Sequence, residues 1–203
     1  MNDRSVVPAL KAFIEGLEKK NVDPLGRSGA DDVLEAEFYE TAACTLRSLG
    51  EPAHYEKLVT SMLETALGKA AAGGPAEGAG LLRIKLAPDP KDAGRQLSAL
   101  SRLAMLRGKA NNLAEADRTY AKIVELCLVK QDEASLKAFD KNGDGTLGEE
   151  ERKARDAFLD SIQQGTLQGE IAPPLRTFLG EYWSCRNTLR SAQYTRGDFA
   201  QGD

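Results

Sequence analysis

Histidine is nearly missing from this chain: His54 is the only one among 203 residues. With no histidine cluster and no paired-cysteine motif, transition-metal catalysis has no ligand set to draw on. His54 stands near the start of a helix-like stretch, outside any recognisable catalytic string. Cysteine is sparse as well. Cys44, Cys127 and Cys185 are odd in number, lie far apart and form no CxxC pair. They read as three buried thiols acting as small apolar side chains, and they fit a reducing, cytoplasmic setting. Long apolar runs are lacking, so nothing is expected to span a bilayer. Residues 1–20 alternate charges with Leu10, Phe13, Ile14 and Leu17, the pattern of an amphipathic helix rather than a signal peptide. Nor is there an excess of basic residues. The net charge is −4 and no Lys/Arg-dense run occurs, which argues against a nucleic-acid partner. No catalytic constellation stands out, and the chain reads as a non-enzyme.

What is present is ordinary globular material, 41% hydrophobic and 29% charged, arranged almost everywhere at helical spacing. The expected fold is all-α: antiparallel helical hairpins, then a helix–loop–helix, then a C-terminal helix. Residues 1–69 form the first helical hairpin region. Val6, Leu10, Phe13 and Leu17 make one apolar face, and Leu34, Phe38, Ala42, Leu46 and Leu49 make the next, capped by Asp31 or Asp32. Gly50 ends that helix, and Pro52 opens a third carrying Tyr55, Leu58, Val59, Met62 and Leu63.

Residues 70–94 are rich in Ala, Gly and Pro and read as a linker or mobile loop. Residues 95–203 hold a second hairpin, the helix–loop–helix at 131–163, and a C-terminal helix with Phe178, Tyr182 and Trp183. In the second hairpin Leu100, Leu103, Ala104, Ala116 and Tyr120 stand at packing positions. Residues 97–130 thereby resemble a single tetratricopeptide-like hairpin. Asn111 stands there where that motif usually has a glycine, and Ile123 where it usually has a small residue. The same positions also follow from plain helical-hairpin packing.

The richest chemistry lies in FDKNGDGTLGEEE, residues 139–151. A Ca²⁺ ion takes six to eight oxygens at about 2.3–2.6 Å, and a twelve-residue loop can wrap around it to supply them. Asp140, Asn142 and Asp144 alternate along the loop and offer side-chain oxygens; Thr146 offers its backbone carbonyl, and Glu151 reaches back with two carboxylate oxygens. Gly145 permits the sharp turn, and Leu147 is the apolar residue that points into the helix pair. This segment resembles a single EF-hand of the solitary, charge-flanked kind common in bacterial proteins. The resemblance implies Ca²⁺ as the bound ion, with Asp140, Asn142, Asp144, Thr146 and Glu151 as its ligands. Gly148 departs from it by offering no side chain to hold a water.

No second such loop is visible. The exit helix carries Arg152, Arg155 and Asp156 where a calcium sensor places apolar residues. The resulting expectation is a calcium-stabilised or calcium-modulated helical module for protein interaction, with an unidentified protein partner; a homodimer is compatible. A structural scaffold or assembly subunit with a calcium staple is the alternative, and an enzyme with an unrecognised site the third reading.

Overall fold

The structure is a computed structural model that describes residues 4–20, 30–67, 81 and 84–196. The expected mobile stretch between the first three helices and the second hairpin, residues 68–80, lies outside them. The fold is all-α. After a short 3-10 turn, Arg4–Val6, the described helices are α1 (Val7–Lys19), α2 (Ala30–Ser48), α3 (Ala53–Leu67), α4 (Pro90–Lys109), α5 (Leu113–Phe139), α6 (Glu149–Gln163) and α7 (Pro173–Arg196). None is long and apolar enough to cross a membrane.

Helix ends follow local chemistry. At the end of α2, Gly50 adopts φ +87°, and Glu51 N–H donates to Leu46 O at 2.9 Å. This left-handed closure satisfies carbonyls that the helix would leave open. After α4 the same closure is made by Asn111 at φ +54°, with Asn112 N–H donating to Arg107 O at 2.8 Å. Asparagine tolerates the left-handed region better than other side-chain-bearing residues, which accounts for its standing where a glycine is usual. The start of α4 is capped by Asp89, whose carboxylate accepts from Lys91 N–H at 2.7 Å.

The chain divides into two compact units, residues 1–123 with 191–203, and residues 124–190. In the first, α1 packs on α2, α2 on α3 and α4, and α3 along α4. Its core is largely aliphatic: Ile14, Leu17, Leu46, Leu58, Met62, Leu97, Leu100, Leu103 and Leu106 are all buried. Two expected faces are observed in part: Leu17 on α1 and Ala42, Leu46 and Leu49 on α2 are buried as the spacing predicts, while other members turn outward. Val6 and Phe13 are exposed while Ile14 and Leu17 are buried; Leu34 and Phe38 are exposed while Ala36, Tyr39, Glu40 and Ala43 point inward. Glu40 is fully buried because cations from α4 reach it. Arg102 Nη2 lies 2.7 Å from its Oε1 and Lys109 Nζ lies 3.0 Å from its Oε2. The first three helices are also tied at Glu18, whose carboxylate accepts from Tyr39 Oη and Lys57 Nζ, each at 2.7 Å. His54 Nδ1 lies 3.8 Å from the same carboxylate.

The later part of the expected linker belongs to this unit. Ile84 and Ala93 are buried, and residues 90–94 are the first turn of α4. Buried Gln96 donates to Ala66 O and to Lys85 O, both at 2.8 Å, and accepts from Ala87 N–H at 3.2 Å. One side chain thus fastens the end of α3 and the segment before α4, and the division between units falls elsewhere. It falls inside α5, which runs unbroken from the second hairpin into the loop. The sequence between Cys127 and Ser135 has no glycine or proline to interrupt it.

Candidate metal centre

The second unit is built around the 140–151 loop. Below the loop lies a small aromatic core in which Ala134, Phe139 and Phe178 are buried and Leu147, Ala154, Phe158, Leu159, Leu175 and Tyr182 pack against them. Phe139 meets Phe178 edge-on at 5.2 Å between ring centroids and Phe158 at 6.0 Å. Leu147 is the loop's own anchor in this cluster. The exit helix α6 buries no residue completely, so its placement relies on half-buried side chains and on the loop's hydrogen bonds.

Those hydrogen bonds run from loop amides to the side chains that the sequence singled out. The Asp140 carboxylate accepts from Gly143 N–H at 2.7 Å and from Gly145 N–H at 2.9 Å. Both amides are presented by left-handed glycines, φ +71° at Gly143 and +78° at Gly145. Asn142 Oδ1 accepts from Asp144 N–H at 3.0 Å, and Asn142 Nδ2 donates to Asp144 Oδ2 at 2.9 Å. Asp144 Oδ1 accepts from both the amide and the hydroxyl of Thr146 at 2.8 Å. The Thr146 hydroxyl, then the Thr146 amide and Asn142, hold the Asp144 carboxyl below its ordinary range. Glu151 bridges the two ends of the loop. Its Oε1 accepts from Lys141 N–H at 2.8 Å, and its Oε2 accepts from Gly148 N–H at 2.9 Å. The second bond caps the start of α6 from the Glu151 side alone, since the N-cap residue Gly148 has no side chain to return it. Glu149 and Glu150 point elsewhere, each pairing with Lys153 Nζ, at 2.9 Å and 3.1 Å.

The structure therefore brings Asn142, Asp144 and Thr146 into direct contact and folds Asp140 and Glu151 onto the loop backbone. It does not gather three acidic side chains at one point. Among the described residues no group of three or more His, Cys, Asp or Glu is placed to hold an ion. Asp140, Asp144 and Glu151 are instead turned to separate amide donors.

In donor chemistry the residues fit a hard divalent cation: every candidate ligand atom is an oxygen, two glycines allow the tight turn, and one carboxylate spans the ring. The sequence reading missed two contributors, the left-handed Gly143 and the amides of Lys141 and Gly148 that position Glu151. The Asn142-Gly143 dipeptide, a turn signal in itself, was the available clue to the first. No protein-family model, curated protein or solved structure matches this chain.

Proposed function

We propose that this chain binds one Ca²⁺ in the 140–151 loop as a single EF-hand, and that the ion stabilises a non-enzymatic helical module for protein interaction. The carrying observation is the loop itself, where Glu151 reaches from the first turn of α6 back to the amide of Lys141, joining the two ends of the segment that holds Asp140, Asn142 and Asp144. Asp140, Asn142 and Asp144 would give side-chain oxygens, Thr146 its carbonyl and Glu151 both carboxylate oxygens. Binding exchanges amide donors for the cation as the partner of these oxygens. The bidentate Glu151 favours Ca²⁺ over the smaller Mg²⁺, whose octahedral shell accepts that geometry poorly.

The staple reading is favoured over a sensor that opens an apolar groove. No residue of α6 is completely buried, and its partly buried Phe158 and Leu159 lie against the cluster under the loop.

Calorimetric titration of Ca²⁺ into the full chain tests the site. The wild type should bind one equivalent, and Glu151→Gln should lose at least about tenfold in affinity, about 1.4 kcal/mol. Glu150→Gln should bind like the wild type. Equal affinity in wild type and Glu151→Gln removes the assignment. If calcium raises the melting temperature but leaves partner binding unchanged, the scaffold reading replaces the modulated one.

A further inference from the structure

Cys127 on α5 and Cys185 on α7 are both completely buried in the second unit. The Cys127 thiol lies 3.9 Å from the backbone oxygen of Cys185, to which it donates, so the two cysteines are direct neighbours. Three contacts run in opposite order along the two helices. Cys127 meets Cys185, Lys130 pairs with Glu181, and Phe139 packs on Phe178. The helices are therefore antiparallel along this seam, and Cys127 and Cys185 meet across it. Burial as an apolar side chain accounts for either cysteine alone. It does not account for two buried cysteines from separate helices standing in direct contact.

We propose that Cys127 and Cys185 form a redox-convertible pair that a peroxide or a small disulfide oxidises to a disulfide clamping α5 to α7. This inference is independent of the calcium reading. With hydrogen peroxide, the Cys185 thiolate attacks one peroxide oxygen. The O–O bond breaks, hydroxide leaves, and Cys185 becomes a sulfenic acid. Cys127 sulfur then attacks the Cys185 sulfur, the S–O bond breaks, and the S–S bond forms as water departs. Hydroxide takes up the proton first lost by Cys185, so two thiols and one peroxide give one disulfide and two waters. With a small disulfide the same pair forms by two exchange steps, releasing two small thiols.

The two thiols sit in different surroundings. The hydrogen bond from Cys127, aided by nearby Lys130, holds the Cys185 thiol below its ordinary range despite burial. The same hydrogen bond and burial push Cys127 up. The bonds made and broken balance equally with the two sulfurs exchanged. Cys44 offers an internal contrast: burial pushes it up to about 11, and its thiol donates to Leu106 O at 3.8 Å. Because Cys127 and Cys185 are covered, a reagent reaches them only when the seam opens, and conversion is slow.

The test is equilibration of the full chain in glutathione buffers stepped from reduced to oxidised, followed by acid quench, alkylation and tryptic mass spectrometry. The expected product joins peptides 123–130 and 177–186, lowers the intact mass by two hydrogens, and leaves Cys44 alkylated. Cys127→Ser should abolish the cross-link. Should that variant fail to fold, Cys44→Ser must still form the link in full, which keeps the assignment testable. Alkylation of both Cys127 and Cys185 at every ratio would overturn the proposal. So would single glutathione adducts without the cross-link, or cross-links only through Cys44.

Discussion

Among the described residues of 4–123 the buried side chains are mainly leucine and alanine, contributed by five helices, with a buried carboxylate, Glu40, neutralised by Arg102 and Lys109. In residues 124–190 the core under the loop is three phenylalanines and a few half-buried neighbours, and α6 contributes nothing fully buried. The difference teaches where outside help is needed. Aliphatic burial, at about 25 cal/mol per Å², is the main contribution to the first unit. The second has fewer fully buried apolar residues and a nine-residue loop between α5 and α6, ordered largely by hydrogen bonds that net only about 0.5–1.5 kcal/mol each. A cation in that loop would strengthen the unit with less core of its own.

The largest test of this contrast is Phe178→Ala, which removes the ring that contacts Phe139, Phe158 and Tyr182. A loss of about 3–5 kcal/mol is expected. Hydrogen exchange should place it in residues 124–190, with α3 and α4 keeping their protection. Leu103→Ala should do the reverse, at about 2–5 kcal/mol. Equal loosening of both units by either variant would mean that they unfold as one.

Calcium is next in size. At a hundredfold excess over its dissociation constant it should add about 2.7 kcal/mol. The fluorescence of an added hydrophobic dye should barely change; a large rise would mean that an apolar face is released and would favour the switch over the staple.

Gly145→Ala is smaller. A Cβ there meets no atom within 4 Å, yet the backbone sits at φ +78°. Open space leaves only conformational strain, about 1–2 kcal/mol. The loss should appear with and without calcium, read by thermal unfolding. A cost far above this would point to lost contacts rather than strain.

The smallest effect concerns acid. The hydrogen bond from Lys57, opposed by burial and joined by Tyr39, holds the Glu18 carboxyl below its ordinary 4.5. A lowered folded pKa contributes stability above the unfolded value and loses it as pH falls through the folded one. Below about pH 4.5 the wild type should therefore lose more stability than Glu18→Gln, read by denaturant midpoints. Because Glu18 is partly exposed, the difference should be slight. Parallel pH curves would show that the Lys57 contact contributes nothing measurable.

The loop was legible in the sequence because its determinants are local. Asp140, Asn142, Asp144 and Glu151 act within twelve residues, and the structure places each against a loop amide or a loop neighbour. The helical class was legible for the same reason, since spacing of apolar residues and glycine stops are properties of a short window. Features set by tertiary partners were not. Leu34 and Phe38 match an apolar face as well as Ala36 and Ala43 do; only packing against α3 and α4 decides between them. Glu40 looks like a surface carboxylate until Arg102 and Lys109 are brought to it from more than sixty residues away. The seam between Cys127 and Cys185 spans 58 residues and carries no spacing motif.

Hydrogen exchange of the full chain with and without millimolar Ca²⁺, resolved to peptides, tests the central claim most directly. Calcium should slow exchange of the amides in residues 141–148 and of the first turn of α6, leaving α3 and α4 unchanged. Unchanged exchange in the loop at saturating calcium, or protection appearing only in α1 to α4, would contradict it.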